Sequence, residues 1–80
     1  MYMYYHMLRE KYNQGNEFIT DDIFEQKESE FVDKYEMNYK AAQIYIYALN
    51  DKSRDTVMYE LHMNSKEIQR HAKEAMNKVI

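Results

Sequence analysis

The chain has 80 residues, with no Cys, no Pro, a single Gly and a net charge of −3. This length limits the chain to one domain, and the scarcity of Pro and Gly predicts long helices with few tight turns. The absence of Cys excludes disulfides and thiolate metal sites. The first residues lack the features of a signal peptide, and no apolar stretch approaches the length of a membrane span.

The charges are unevenly distributed along the chain. Residues 17–36 contain eight acidic and two basic side chains, whereas residues 51–80 contain six basic and five acidic ones. A free-standing DNA-binding domain is usually more basic, because neutralisation of phosphates dominates its affinity. The C-terminal half nevertheless leaves room for weak or assisted contact with DNA.

Residues 1–16 are predicted to form an N-terminal arm or helix, and residues 17–80 a single helical domain. Within residues 2–12, Met and Leu favour a helix, whereas the clustered Tyr favour an extended strand. The Asn-Gln-Gly-Asn sequence at 13–16 predicts a break.

The first helix of the domain is predicted to begin near Asp21 and to end near Glu36. Thr20 suits an N-cap, acidic residues follow in the first turn, and Ile19 and Phe24 occupy the positions of a hydrophobic staple. Apolar residues then recur at helical spacing, with acidic residues between them.

The next helix, predicted through Leu49 with Asn38 as its N-cap, is the most apolar stretch of the chain. From Lys40 to Leu49 the only polar side chains are Lys40 and Gln43. Residues 44–47 also alternate as in a strand, but the flanking Ala residues favour a helix. A helix that is apolar on all sides must be buried on all sides, and a domain this small buries only about 60% of its unfolded surface. We therefore expect a partner to cover this helix.

Two capping signals organise the remaining residues. Ser53 suits the N-cap of a short helix at 54–61, and Asn64 with Glu67 forms a capping box for the last helix. The apolar stripe of the last helix consists of Ile68, Ala72, Ala75, Met76 and Val79. The predicted fold is all-α, a small cluster of three to five helices with two helix–turn–helix-like corners.

No pattern of catalytic or metal-binding residues is evident. His6, His62 and His71 lack metal-ligand spacing, and we expect the adjacent helical positions of Glu67 and His71 to hold a solvated pair. A glycine-rich phosphate loop and a nucleophile elbow are also absent. We expect neither an enzyme nor a cofactor or metal.

The last corner offers a possible DNA contact. The side chains predicted to point outward from the last helix are Lys66, Gln69, Arg70 and Lys73. However, His62 occupies a turn position where Gly is usual, and Met58 occupies one where a small residue is usual, so a corner that only packs on its neighbours is favoured. Stacking of the nine Tyr and three Phe on bases is also less favoured than core or partner contact, because many of them lie in the acidic region.

A family resemblance covers residues 19–79. It includes the entry sequence TDDIF, followed by a V-acidic-x-aromatic-x-Met-x-Tyr junction at Val32, Asp33, Tyr35, Met37 and Tyr39. After an Ala-containing helix and a second corner, a helix of the form x-E-I-Q-x-x-x-E-A contains Glu67, Ile68, Gln69, Glu74 and Ala75. The chain thereby resembles the late-transcription coactivators, also called late-promoter accessory proteins, of T-even-type phages and related marine phages.

The resemblance implies a small helical protein in the cytoplasm of an infected bacterium. It would bind the flap of the RNA polymerase β subunit, at a site that the host σ factor otherwise occupies. It would work near promoter DNA with a separate phage σ-like subunit. Such a protein has no catalytic step. The chain stops at Lys78-Val79-Ile80, without the acidic and hydrophobic tail that captures the sliding clamp in the best-known family member. We therefore do not expect clamp dependence.

We expect an apolar helix of the flap to pack into a groove on the central helix and its neighbours. The predicted contacts are Phe31, Tyr35, Met37, Tyr39, Tyr45, Ile46, Leu49, Val57 and Leu61. The alternatives are a small helix–turn–helix DNA-binding regulator that uses the last helix, and a phage inhibitor of another host protein whose acidic surface imitates nucleic acid.

Overall fold

The computed structural model describes residues 3–12 and 18–79, and all regular structure in these ranges is helical. The elements in chain order are α1 (Met3–Tyr12), a 3-10 turn (Asp21–Ile23), α2 (Phe24–Tyr35), α3 (Tyr39–Leu49), α4 (Arg54–Leu61) and α5 (Ser65–Val79). The all-α prediction is confirmed, and α1 resolves the choice between helix and arm in favour of a helix. The predicted break at 13–16 and the predicted domain boundary after residue 16 lie outside the described residues.

The predicted caps of α3 and α4 are confirmed at atomic detail. The Asn38 side-chain oxygen accepts a hydrogen bond from the Lys40 backbone N–H at 2.8 Å. The Ser53 hydroxyl accepts one from the Thr56 backbone N–H at 3.2 Å. Each bond satisfies a backbone donor that has no partner within its own helix, so both helices begin where the local sequence predicts.

The capping box before α5 is also confirmed. Asn64 Oδ1 accepts a hydrogen bond from the Glu67 backbone N–H at 2.9 Å, and Glu67 Oε1 accepts one from the Asn64 backbone N–H at 3.3 Å. Through this reciprocal pair, the Glu67 carboxylate caps the N-terminus of α5.

The start of α2 differs from the prediction. Thr20 makes no side-chain cap, because its hydroxyl donates a hydrogen bond to the Asp22 carboxylate instead. A 3-10 turn occupies Asp21–Ile23, and the α-helix begins only at Phe24. The short polar side chains of this turn therefore bond to each other and do not cap the backbone of α2.

The central helix α3 is enclosed by the chain itself. Seven of its eleven residues are buried, and α1, α2 and α5 all pack against it. The expectation that 80 residues cannot cover this helix without a partner is wrong. Tyr5 and Leu8 of α1 are fully buried in the same core, and the Ala residues of α3 and α5 are small enough for the helices to approach closely. The apolar stripe of α5 forms the other side of this core, with Ile68, Ala72 and Ala75 buried and Met76 and Val79 partly buried against it.

Candidate functional site

Most of the predicted flap-contact residues belong to the core. The five buried members are Met37, Tyr45, Ile46, Leu49 and Val57. Because Ile46 and Val57 have no exposed surface at all, a partner cannot reach them without opening the fold. These five residues stabilise the protein itself, and we remove them from the predicted contact surface.

The other four predicted contact residues retain exposed surface. Phe31, Tyr35 and Leu61 are partly buried against the core, and Tyr39 is 53% exposed at the first position of α3. Phe31 and Tyr35 lie side by side on α2 with ring centroids 5.8 Å apart. The accessible part of the predicted surface is therefore aromatic and lies on α2, on the corner into α3 and at the end of α4.

The ring of Tyr45 packs against two aromatic side chains of α2, Phe31 and Tyr35. Its ring contacts Phe31, Tyr35 and Tyr12 in edge-on arrangements, with centroid distances of 5.2, 6.1 and 5.7 Å. Such edge-to-face contacts add about 0.5–1.5 kcal/mol each beyond the area that they bury. Burial, reinforced by neighbouring tyrosines, raises the pKa of Tyr45 to about 12, so the phenol stays neutral. We call Tyr12, Phe31, Tyr35 and Tyr45 the aromatic cluster, and it holds the accessible rings of α2 in fixed positions.

A second group of contacts joins α2 to α4 through Tyr47. The Tyr47 ring meets Phe24 edge-on at 5.8 Å, and its hydroxyl donates a 2.8 Å hydrogen bond to Glu60. Burial, followed by the bond to Glu60, raises the pKa of Tyr47 to about 12. This tyrosine is structural, since its polar end is already occupied.

The structure brings all four residues of the predicted DNA contact into one cleft. Lys66, Gln69, Arg70 and Lys73 of α5 line a depression of about 370 Å³ whose other wall is Tyr4 of α1. The Lys73 ammonium lies 5.8 Å from the centre of the Tyr4 ring. We call these five residues the basic cleft. Sequence reasoning missed Tyr4, because no local signal indicates that α1 packs along α5.

The two carboxylates of α5 do not line the basic cleft. Glu67 is bound to the Asn64 backbone N–H, and Glu74 accepts a 2.8 Å hydrogen bond from the Asn38 backbone N–H. Within residues 3–12 and 18–79, no ion pair involves Lys66, Arg70 or Lys73. The cleft therefore presents three positive charges to solvent.

His71 differs from its prediction as a member of a solvated pair with Glu67. It is only 7% exposed, and neither ring nitrogen has a hydrogen-bond partner among the described residues. Its nearest carboxylate belongs to Glu74, with 3.9 Å between Nδ1 and Oε1. Burial, followed by the nearby Arg70, lowers the pKa of His71, which is therefore neutral at pH 7.

Neither a metal site nor a membrane-crossing helix is found in the described part of the chain. No group of three His, Asp or Glu side chains is placed there to hold a metal ion. None of the helices in these ranges has the length and apolar character needed to cross a bilayer.

Comparison with known proteins adds no relative to this picture. No protein-family model, no curated protein and no solved structure matches the chain.

Proposed function

We propose that the protein is a phage coactivator of late transcription that binds the β-subunit flap of host RNA polymerase and works with a phage σ-like factor. The proposal rests on the resemblance of residues 19–79 to that class of protein. It locates the action of the protein in the cytoplasm of the infected bacterium and requires no catalytic residue. It also makes the accessible aromatic surface of α2 and the following corner the contact with the flap.

The structural observation that supports this proposal is the exposure of aromatic side chains on α2 and at the α2–α3 corner. Tyr39 is more than half exposed, and Phe31 and Tyr35 are only partly covered. Aromatic residues on rigid elements are common anchors of protein interfaces, because they bury a large area and lose few rotamers. Fully covering an exposed large apolar side chain contributes about 1.5–3 kcal/mol, and each of these three rings supplies the part of that energy that corresponds to its remaining exposed area.

The negative charge of α2 is compatible with binding to a basic surface of polymerase. Its exposed side chains include Glu25, Glu30 and Asp33, and the acidic Glu36 follows at its end. A negative face next to the aromatic anchors favours a basic protein surface and repels DNA, which discourages contact with DNA on this side of the molecule.

A set of tyrosine variants tests the proposal. Tyr39→Ala and Tyr35→Ala are expected to weaken binding to polymerase by about tenfold or more, because each removes an anchor worth at least about 1.4 kcal/mol. Tyr59→Ala is the matched control, since Tyr59 of α4 is 82% exposed and lies outside the contact. Tyr59 is also two residues from Leu61, so the two side chains lie on different faces of α4.

Binding by these variants is measured by titrating labelled protein with polymerase core enzyme. Thermal unfolding of each variant checks that the fold is retained. Equal affinities for the wild type, Tyr39→Ala and Tyr35→Ala, in folded proteins, would contradict this contact surface.

The rival function, a regulator that reads duplex DNA through α5, is less well supported. The α4–α5 corner has the required order of helix, turn and helix. However, a recognition helix must protrude to enter the major groove, which is about 12 Å wide. The basic residues of α5 instead line a depression whose other wall is Tyr4 of α1.

A further inference from the structure

We propose that the basic cleft binds a single-stranded nucleic acid, with the phosphates on Lys66, Arg70 and Lys73 and a base on the Tyr4 ring. This inference does not rest on binding to polymerase, because it concerns a different surface, between α1 and α5. It assigns a ligand to a concavity in which three cations and an aromatic side chain lie together.

The spacing of the cations fits a strand that follows the helix. Lys66, Arg70 and Lys73 lie four and three residues apart, so they share one face of α5 and are spread over about 11 Å of its axis. Lys66, Arg70 and Lys73 are all exposed, and α5 carries four basic residues against two acidic ones. Among the described residues, neither carboxylate of α5 lines the cleft or forms an ion pair with its three cations, so these cations are free to contact a polyanion.

Tyr4 is the feature that favours a single strand over a duplex. Proteins that bind single strands combine a positive groove with an aromatic ring on which an unpaired base stacks. A base inside a duplex presents no free face to such a ring, whereas an unpaired base does. The cleft volume of about 370 Å³ lies at the lower end of the range for small-ligand pockets, which is enough for one base against the ring.

Gln69 is the polar uncharged residue that lines the cleft, and we do not expect it to select a particular base. Its amide offers both donors and an acceptor to a base edge, and it lies between the cations on the same helix. Because stacking and phosphate contacts are common to all nucleotides, we expect modest sequence preference and binding of both DNA and RNA strands.

The test is a fluorescence anisotropy titration of the full chain with labelled oligothymidylate of about 12 nucleotides, a length within the usual site sizes of single-strand binders. Three phosphate contacts predict a slope of log K against log salt near −2, so affinity falls about 20-fold between about 50 and 200 mM salt. The double variant Lys66→Ala, Arg70→Ala is expected to bind at least tenfold more weakly at the lower salt concentration, with a slope near −0.7.

The aromatic contribution is tested separately at Tyr4. Tyr4→Leu is expected to weaken binding about fivefold or more, whereas Tyr4→Phe keeps the ring and retains the affinity. The single variants Arg70→Ala and Lys78→Ala form a matched pair for charge, because each removes one exposed cation of α5 and Lys78 does not line the cleft. Circular dichroism melting verifies that each variant is folded.

Three results would overturn the proposal. The first is a duplex of the same length that binds as tightly as the single strand. The second is a folded Lys66→Ala, Arg70→Ala protein that binds the strand like the wild type. The third is equal weakening by Lys78→Ala and Arg70→Ala, which would indicate diffuse attraction to the net charge of α5. Because binding to polymerase is not measured here, none of these outcomes bears on the α2 surface.

Discussion

Asn50 and Ile19 are joined by two hydrogen bonds between a side chain and a backbone. The Asn50 amide oxygen accepts from the Ile19 N–H, and its NH₂ group donates to the Ile19 carbonyl, both at 2.8 Å. The pair connects the end of α3 with the segment that enters the 3-10 turn, 31 residues earlier in the chain. One side chain thereby satisfies both backbone polar groups of Ile19, which is buried.

Replacement of Asn50 tests this connection. Asn50→Ala removes both bonds and leaves two backbone groups of a buried residue unpaired, so the free energy of unfolding is expected to fall by about 2–3 kcal/mol. Asn50→Asp keeps the acceptor but sets a carboxylate against the Ile19 carbonyl, and is expected to lower stability as well. Urea denaturation measures both effects. The matched control is Asn77→Ala on the exposed face of α5, for which a change below about 0.5 kcal/mol is expected. An Asn50→Ala protein as stable as the wild type would contradict this role.

The buried histidine predicts how stability depends on pH. Burial lowers the pKa of His71 in the folded protein, while Arg70 and Lys40 oppose its protonation and Glu74 and Glu67 favour it. The unfolded chain therefore binds a proton at higher pH, near the ordinary His value of about 6.5. The stabilising contribution of neutral His71 is fully present above that pH and is lost as the pH falls towards the lower pKa of the folded protein.

A pH series of urea denaturation curves checks this prediction. Stability is expected to fall from pH 6.5 to pH 5 in the wild type. In His71→Met, an apolar residue of similar bulk that cannot titrate, this fall is expected to be smaller. Asn77→Ala, at an exposed position of α5 that carries no titratable group, should retain the wild-type pH dependence. If His71→Met and the wild type had parallel stability curves over this range, His71 would not be the responsible group.

His62 occupies a backbone position that favours glycine. It ends α4 in the left-handed conformation, with φ 54° and ψ 44°, where a side chain with a Cβ costs about 1–2 kcal/mol. Glycine removes this cost but loses more chain entropy on folding, so His62→Gly is expected to raise the free energy of unfolding by about 0.5–1 kcal/mol. His62→Ala retains the Cβ and is expected to give no such gain. Thermal melts of the two variants provide the comparison, and a destabilised His62→Gly protein would refute the expectation.

Local signals predicted the α3–α5 helices well. The caps at Asn38 and Ser53 and the box at Asn64 each depend on residues within three positions, so they are visible in the sequence alone. The burial of His71 was also visible in principle, because it lies three residues after Ile68 and four before Ala75, on the apolar stripe of α5. Its polarity led to the prediction of a solvated position.

Features that depend on distant residues could not be predicted in the same way. Coverage of α3 requires Tyr5 and Leu8, which are useful only if residues 3–12 form a helix that packs on α3 and α5. The clustered Tyr left that point open. The same packing places Tyr4 against α5 as a wall of the basic cleft. The sequence therefore predicts that the cations of α5 point outward, but it does not predict their aromatic neighbour.

The most direct test of the proposed function compares the binding of the full chain to host RNA polymerase core enzyme with its binding to the same enzyme lacking the tip helix of the β flap. Biolayer interferometry with immobilised protein gives both affinities under one set of conditions. We predict saturable binding to intact polymerase and a loss of at least about 100-fold, or 2.7 kcal/mol, without the flap tip, because the anchors of an interface carry most of its energy. Equal binding to the two enzymes, or binding to neither, would contradict the proposal.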